Sequence, residues 1–300
     1  MNTVLALDNN NYATMAAAMG VAVEDTPKKG NTLARLKINH SPIMGETSVN
    51  GKMMNVEVVS GGTYKLDIPD GANIYSDSVV IRPFVQRFMY KRYIPNLSGD
   101  GTGPKGSYQK TIMADSLNVD LKDNFGDFNC GKPAGYIEDF NALPQEQKDL
   151  IRQIKRVRVI FGLVTLNNPM SEAGEGVECE DTPFIWEIDN REAFKIVGQP
   201  MTRLAKMQRL PIQHRIHFGT DERTIPTGAV FYLPSPSLDV SDTVSLTESD
   251  QDMFADFMAW IQNYNDYIGS EWADKARNKM DAEDENIVDG FIDIESGDDI

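Results

Sequence analysis

The net negative charge of this chain is confined to one end. Eighteen of its 45 acidic residues and only three of its 29 basic residues lie from Asp239 to Ile300, so residues 1–238 hold 27 acids and 26 bases and are close to neutral. The final twenty residues, Asp281 to Ile300, carry nine acids and no base. A block of like charge repels itself, stays solvated and cannot join a packed core. The fold must therefore come from the remainder, and residues 281–300 are expected to form a disordered acidic tail. An isoelectric point near 4.6 would argue against a polyanionic partner if the charge were uniform. Because it is segregated, the body is free to be locally basic.

The body reads as β structure. Leu33–Ile38, Lys52–Val59 and Thr63–Ile68 are short alternating or β-branched runs, and Asn50-Gly51 is a two-residue hairpin signal. Ser78–Ile94 is long and β-rich, the glycine-rich stretch Ser98–Ser107 follows, and Tyr108–Val119 resumes the strand pattern. Arg156–Leu166 (RVRVIFGLVTL) is the strongest strand and is expected to be central. Pro183–Ile188, Ile212–Phe218 and Ala229–Leu233 complete the set. Helices are expected at Leu143–Ile154, from Asn190 to about Val197, at Met201–Leu210 after Pro200, and over Glu248–Lys279. Many short strands with few helices between them indicate a mainly β body, a small barrel or sandwich, with peripheral helices. The expected division is an N-terminal arm (1–30), a β-rich body (31–238), a helical segment (239–280) and the tail (281–300).

No signal peptide is expected, because the first fifteen residues lack a charged start and a long apolar run. No apolar stretch is long enough to span a membrane, and no membrane partner is expected. Cys130 and Cys179 stand alone, without a CxxC, and are expected to be free thiols.

The residues with the most chemistry lie in Ile81–Tyr93, which has four bases, four aromatics and no acid. Regular alternation would put Arg82, Phe84, Gln86, Phe88, Tyr90 and Arg92 on one face, and Ile81, Val85, Met89 and Tyr93 on the other. Rings that stack on unpaired bases, flanked by cations that hold phosphates, are what a single-strand binder needs. The plainer alternative buries Phe84 and Phe88 in the core and leaves the bases solvated. Arg87, Lys91, Tyr93, Lys105, Tyr108 and Lys110 extend the candidate patch, as do Lys155, Arg156 and Arg158 at the start of the central strand. Arg203 and Lys206 share one helical face with Arg209.

Catalytic signals are poor. His214 and His217 fall on opposite faces of a strand and have no ligand-spaced Cys, Asp or Glu beside them. SGDGTGPKGS lacks the GxxxxGK[ST] spacing and joins two strands, so it is no phosphate loop. No enzyme activity, metal or cofactor is expected.

The layout resembles the single-stranded DNA-binding, helix-destabilising proteins of tailed phages, particularly the T-even type. The resemblance rests on an Ala/Met-containing arm, a body with interleaved bases and aromatics, and a detached acidic tail. Two local stretches carry it further: Lys155–Pro169, a basic-then-apolar strand ending in an Asx-Pro turn, and Phe184–Ile188 followed by Phe194-Lys195. It implies an OB-fold-like barrel that sequesters single-stranded DNA in the cytoplasm of an infected bacterium. It also implies a tail that recruits polymerase, primase-helicase or recombination proteins. Asp289, Phe291, Ile292, Asp298, Asp299 and Ile300 are the tail residues suited to such a partner, and the tail can also compete with DNA. The family's zinc subdomain uses a His and three Cys. Here Cys130 is alone, so a zinc-free replacement around Gly131–Phe140 is expected. The family's basic motif in the arm is missing near Tyr12–Met19, so cooperative filament assembly is not implied. A virion structural or assembly protein is the alternative reading.

Overall fold

The computed structural model describes residues 33–49, 52–69, 71–95, 106–133 and 135–295, with side chains except at 47–49, 52 and 279–295. The N-terminal arm, the Asn50-Gly51 turn, the loop holding Lys105, the side chains of Asp289, Phe291 and Ile292, and residues Asp298, Asp299 and Ile300 lie outside what is described.

The architecture is mainly β. The strands in chain order are β1 (Ala34–Ile38), β2 (Ile43–Val49), β3 (Lys52–Val59), β4 (Tyr64–Asp67), β5 (Ile74–Ser76), β6 (Ser78–Ile94), β7 (Ser107–Lys110), β8 (Lys155–Asn167), β9 (Met170–Ser171), β10 (Thr182–Ile188), β11 (Ile216–Thr224) and β12 (Val230–Ser237). Ten of them form one sheet, ordered β12-β11-β6-β8-β10-β1-β4-β5-β9, with β7 beside β6. All neighbours are antiparallel except β1 and β10. No pairing joins the two ends of this order, so the sheet does not close into the expected barrel. β2 and β3 form a separate hairpin. Only the first residues of the expected strand 108–119 extend as one, and isolated bridges carry the chain onward.

β8 is central, as its apolar run requires. It pairs with β6 from Ser78↔Asn167 to Lys91↔Lys155, and with β10 on its other side. One face of the sheet carries Val79, Ile81, Ile160, Val164 and Trp186 beneath the helix α2 (Arg191–Lys206). The other carries Val85, Met89, Val157, Val159 and Phe161 beneath the helix α3 (Glu248–Glu295). A short helix, α1 (Gln145–Gln153), precedes β8. α2 is continuous across Pro200, where two helical pieces were expected. An interior proline costs a hydrogen bond and crowds the carbonyl one turn back, but here the apolar face of Ala193, Val197, Met201 and Leu204 is buried on both sides of it and holds the helix together. Both cysteines are free and buried.

One irregularity decides which way the β6 side chains point. Pro83 pairs with Gly162 and Val85 with Phe161, which leaves Phe84 as an extra residue. This β-bulge reverses the alternation. Before it, Arg82 faces α3, and Phe84 packs edge-on against Phe257 of α3. After it, Gln86 and Phe88 face α2, while Arg87 reaches the Met258 sulfur. Gly162 makes the bulge possible, because a Cβ there would run into the Arg82 carbonyl oxygen. Gly162→Ala is expected to cost about 2–3 kcal/mol, read as a lowered Tm in calorimetry. An unchanged Tm would show that the bulge can relax around a methyl group.

α3 begins with a capping box. The Thr247 backbone N–H and hydroxyl donate to Asp250, whose own N–H reaches back to the Thr247 hydroxyl. Asp250 also takes a bidentate pair from Arg82 at 2.8 and 2.9 Å. Phe257, Ile261 and Ile268 then recur at helical spacing and are almost fully buried, each contributing roughly 1.5–3 kcal/mol. The Asn265 side chain accepts from the Met113 N–H and donates to its carbonyl. The helix passes the expected boundary at residue 280 and continues to Glu295. Ile287, Val288, Phe291 and Ile292 preserve helical spacing among the acids there. Among the described residues no helix is long and apolar enough to cross a membrane.

Candidate nucleic-acid interface

Behind the bulge, the side chains of β8 and β6 that face α2 are basic and aromatic. Asn190 caps α2 by accepting from the Glu192 and Ala193 N–H groups, which fixes Phe194 over the start of β8. The Arg156 and Arg158 guanidinium carbons lie 5.7 and 4.6 Å from the Phe194 ring centre, and Arg158 lies 5.1 Å from the Phe88 ring. Arg158 Nε donates to the Phe194 carbonyl at 3.0 Å and Nη1 donates to Gln86 Oε1. Burial lowers the Arg158 guanidinium to about 10, which leaves it charged at neutral pH.

These residues form part of a trough of three hollows joined by shared lining residues, the middle one also sharing Asp189 and Asn190 with a further hollow of about 580 Å³ outside the trough. The middle one, about 790 Å³, is lined by the bases Lys132, Arg152, Lys155, Arg156 and Arg191 and by the rings of Tyr90, Phe140 and Phe194. Asp189 is the one acid in its lining. Arg152 and Lys155 are shared with a hollow of about 340 Å³ that also holds Lys91, Tyr93 and Tyr108. The Tyr93 and Tyr108 rings are 5.1 Å apart and about half exposed, at 48% and 49%. They are tilted against each other, and the Lys91 ammonium lies over the Tyr108 ring, 4.7 Å from its centre. At the other end, Phe194 is shared with a hollow of about 560 Å³ containing Arg158, Lys195, Arg203 and Lys206.

The charges along this trough are largely uncompensated. Lys91 shares Glu187 and Asp189 at 3.8 and 3.7 Å, Lys155 meets Asp189 at 3.1 Å, and Arg152 meets Asp149 at 2.7 Å. Among the described residues, no carboxylate lies within ion-pair distance of Lys132, Arg156, Arg158, Arg191, Lys195, Arg203 or Lys206. Burial pulls the Lys132 ammonium below the usual lysine range, and its Nζ donates to the Pro133 and Gly135 carbonyls. Seven cations without carboxylate partners favour an anion supplied from outside.

Of the candidate residues named above, Tyr90, Lys91, Tyr93, Tyr108, Lys155, Arg156, Arg158, Arg203 and Lys206 line the trough. Phe88 underlies it, tilted against Phe194 at 5.9 Å. Lys110 sits beside it, 4.0 Å from Glu187, with burial pulling its ammonium down. Arg92 is outside the lining and has its Nε buried with no hydrogen-bond partner. Arg82, Phe84 and Arg87 do not join the trough: the bulge turns them to the α3 side, where they meet Asp250, Phe257 and Met258.

Six basic or aromatic trough residues were not anticipated: Lys132, Phe140, Arg152, Arg191, Phe194 and Lys195. Arg191 and Lys195 did leave a signal. Both lie at the start of α2, where the helix dipole disfavours cations. Bases in that position invite a functional explanation. Lys132 and Phe140 come from an irregular segment with no periodicity to place them.

Among the described residues no group of three His, Cys, Asp or Glu could hold a metal ion. Beside Cys130 the chain is organised by a buried carboxylate. Asp123 accepts from the Phe125, Asp127 and Cys130 N–H groups and from Gln109 Nε2.

Comparison with protein-family models, with curated proteins and with solved structures finds no match for this chain.

Proposed function

We propose that this chain binds single-stranded DNA without regard to base sequence, with the strand lying along the trough. The observation that carries the reading is the trough itself: cations lacking carboxylate partners line it together with exposed or half-buried rings. Cations take phosphates, and rings take any base, at about 1–3 kcal/mol per stacked base. The setting in phage replication, and recruitment of polymerase, primase-helicase or recombination proteins by the tail, come from the resemblance alone. The barrel that the resemblance implies is not needed for this role, because an open sheet can present the same row of side chains.

Fluorescence anisotropy of labelled oligo-dT tests the reading. Saturable binding to the single strand, resisted by excess single-stranded but not duplex competitor, is expected. No binding at 50 mM salt would remove it. Deleting residues 281–300 is expected to tighten binding several-fold at low salt, with the difference shrinking as salt screens the tail from the trough. Equal affinities of the two forms at low salt would remove competition by the tail.

One observation favours the alternative of an assembly protein. The β2–β3 hairpin exposes Met44, Met53, Met54 and Val56 and stands outside the main sheet. An apolar arm of this kind suits a protein partner. A protein of that class would show no affinity for oligo-dT.

A further inference from the structure

We propose that the hollow against α2 binds a doubly charged terminal phosphate, so that the trough has a preferred place for a strand end. This rests on the single-strand reading above and adds a specificity to it.

The first argument is charge density. Arg158, Lys195, Arg203 and Lys206 line one hollow of about 560 Å³, and no carboxylate lines it with them. A phosphodiester within a strand brings one negative charge, whereas a phosphomonoester brings about −1.5 to −2 at neutral pH and three strong acceptor oxygens. Four cations in one small space suit the denser anion. The ring content points the same way. Phe194 is the one aromatic in this lining, against three in the middle hollow. The α2 end is thus built for charge and not for stacking.

The second argument is the fixing of Arg158. Two of its nitrogens are spent on the Phe194 carbonyl and Gln86, and two rings hold its plane. Among the described residues, Nη2 meets no hydrogen-bond acceptor. It lies where Gly198 leaves space, because a Cβ at 198 would run into it. A glycine inside a helix costs roughly 0.5–1 kcal/mol relative to alanine. The helix gives up that stability at the one position where a side chain would displace the guanidinium.

The third argument is position. Phe194 is the one lining residue this hollow shares with the rest of the trough, so the hollow lies at the trough's end. Arg203 and Lys206 also answer the dipole at the helix C-terminus. Arg158 comes from β8 and Lys195 from the first half of α2, so the dipole does not account for them.

The experiment compares oligo-dT of one length bearing a hydroxyl at both ends, a 5′-phosphate or a 3′-phosphate, at fixed salt. One phosphorylated form is expected to bind about tenfold tighter than the hydroxyl form. In the Arg203→Gln/Lys206→Gln double variant the three forms are expected to bind alike. Inorganic pyrophosphate is expected to erase the preference at concentrations that leave hydroxyl-ended DNA bound. Equal binding of all three oligonucleotides by the intact protein would overturn the proposal. If pyrophosphate nonetheless bound, the site would belong to a free phosphate compound and the assignment to strand ends would still fall. Failure of the hydroxyl-ended strand to bind at all would instead strike the single-strand reading.

Discussion

The Lys132→Glu/Arg156→Glu double variant is expected to bind oligo-dT at least about a hundredfold more weakly than the intact protein at low salt. Each reversal removes one charge-assisted contact to phosphate, worth about 1.5–3 kcal/mol, and adds a repulsion. Neither base has a carboxylate partner among the described residues, so the fold loses no ion pair when they are reversed. Arg156 gives up only its 5.7 Å approach to the Phe194 ring. Lys132 gives up its hydrogen bonds to the Pro133 and Gly135 carbonyls and its place 5.4 Å from the Tyr90 ring centre, so thermal unfolding should drop by several degrees while remaining cooperative. A loss in affinity of less than threefold, with the fold intact, would mean that the strand does not pass through the middle hollow.

The opposite pattern is expected at Arg82. Its side chain and that of Asp250 are 12% and 8% exposed, and they pair in a bidentate geometry that also closes the cap of α3. Arg82→Met leaves Asp250 without its main partner and is expected to cost about 3 kcal/mol, seen as a lower midpoint in urea. Asp250→Asn with Arg82→Met should cost less than the sum of the two single changes, because neither partner is then stranded. DNA affinity should be unaffected, since Arg82 faces α3. A tenfold loss of oligo-dT binding with stability unchanged would restore Arg82 to the interface and contradict the bulge.

The same pair sets a dependence on pH. The Arg82 guanidinium, helped by the Thr247 N–H and hydroxyl and opposed by burial, holds the Asp250 carboxyl below the ordinary carboxylate range. A group whose pKa is depressed by folding stabilises the protein above its unfolded value. That contribution is lost as pH falls through the folded value. The stability gap between the parent and the double variant should accordingly be constant from neutral pH to about pH 5 and close below about pH 4. A gap that stayed constant into strong acid would show that the pair contributes no charge-dependent stability.

The sequence revealed composition better than direction. β6, β8 and β10 were legible because long β-branched and aromatic runs bounded by turn residues have few other uses. The segregation of acid from the body was legible by counting. The facing of Arg82 and Phe84 was less so: Pro83, beside the extra Phe84, is a residue that strands tolerate at edges and bulges, but it does not by itself say that a bulge is there. Its cause, Gly162, lies on the neighbouring strand, eighty residues away in sequence, and only pairing reveals it. Glu187 and Asp189 also come close to Lys91 and Lys155 only through the order of the strands. They make the Lys91 end of the trough less basic than its sequence suggests. The α2 end is more basic, since Lys195 joins Arg203 and Lys206 on one continuous helix.

The most direct test of the account is the salt dependence of oligo-dT binding by the intact protein. If the trough neutralises phosphates through its seven cations that lack carboxylate partners, the log–log plot of affinity against salt should fall with a slope of about −3 to −5, at roughly −0.7 per phosphate engaged. A flat plot, or no binding at any salt concentration, would contradict the claim that the trough is a path for single-stranded DNA.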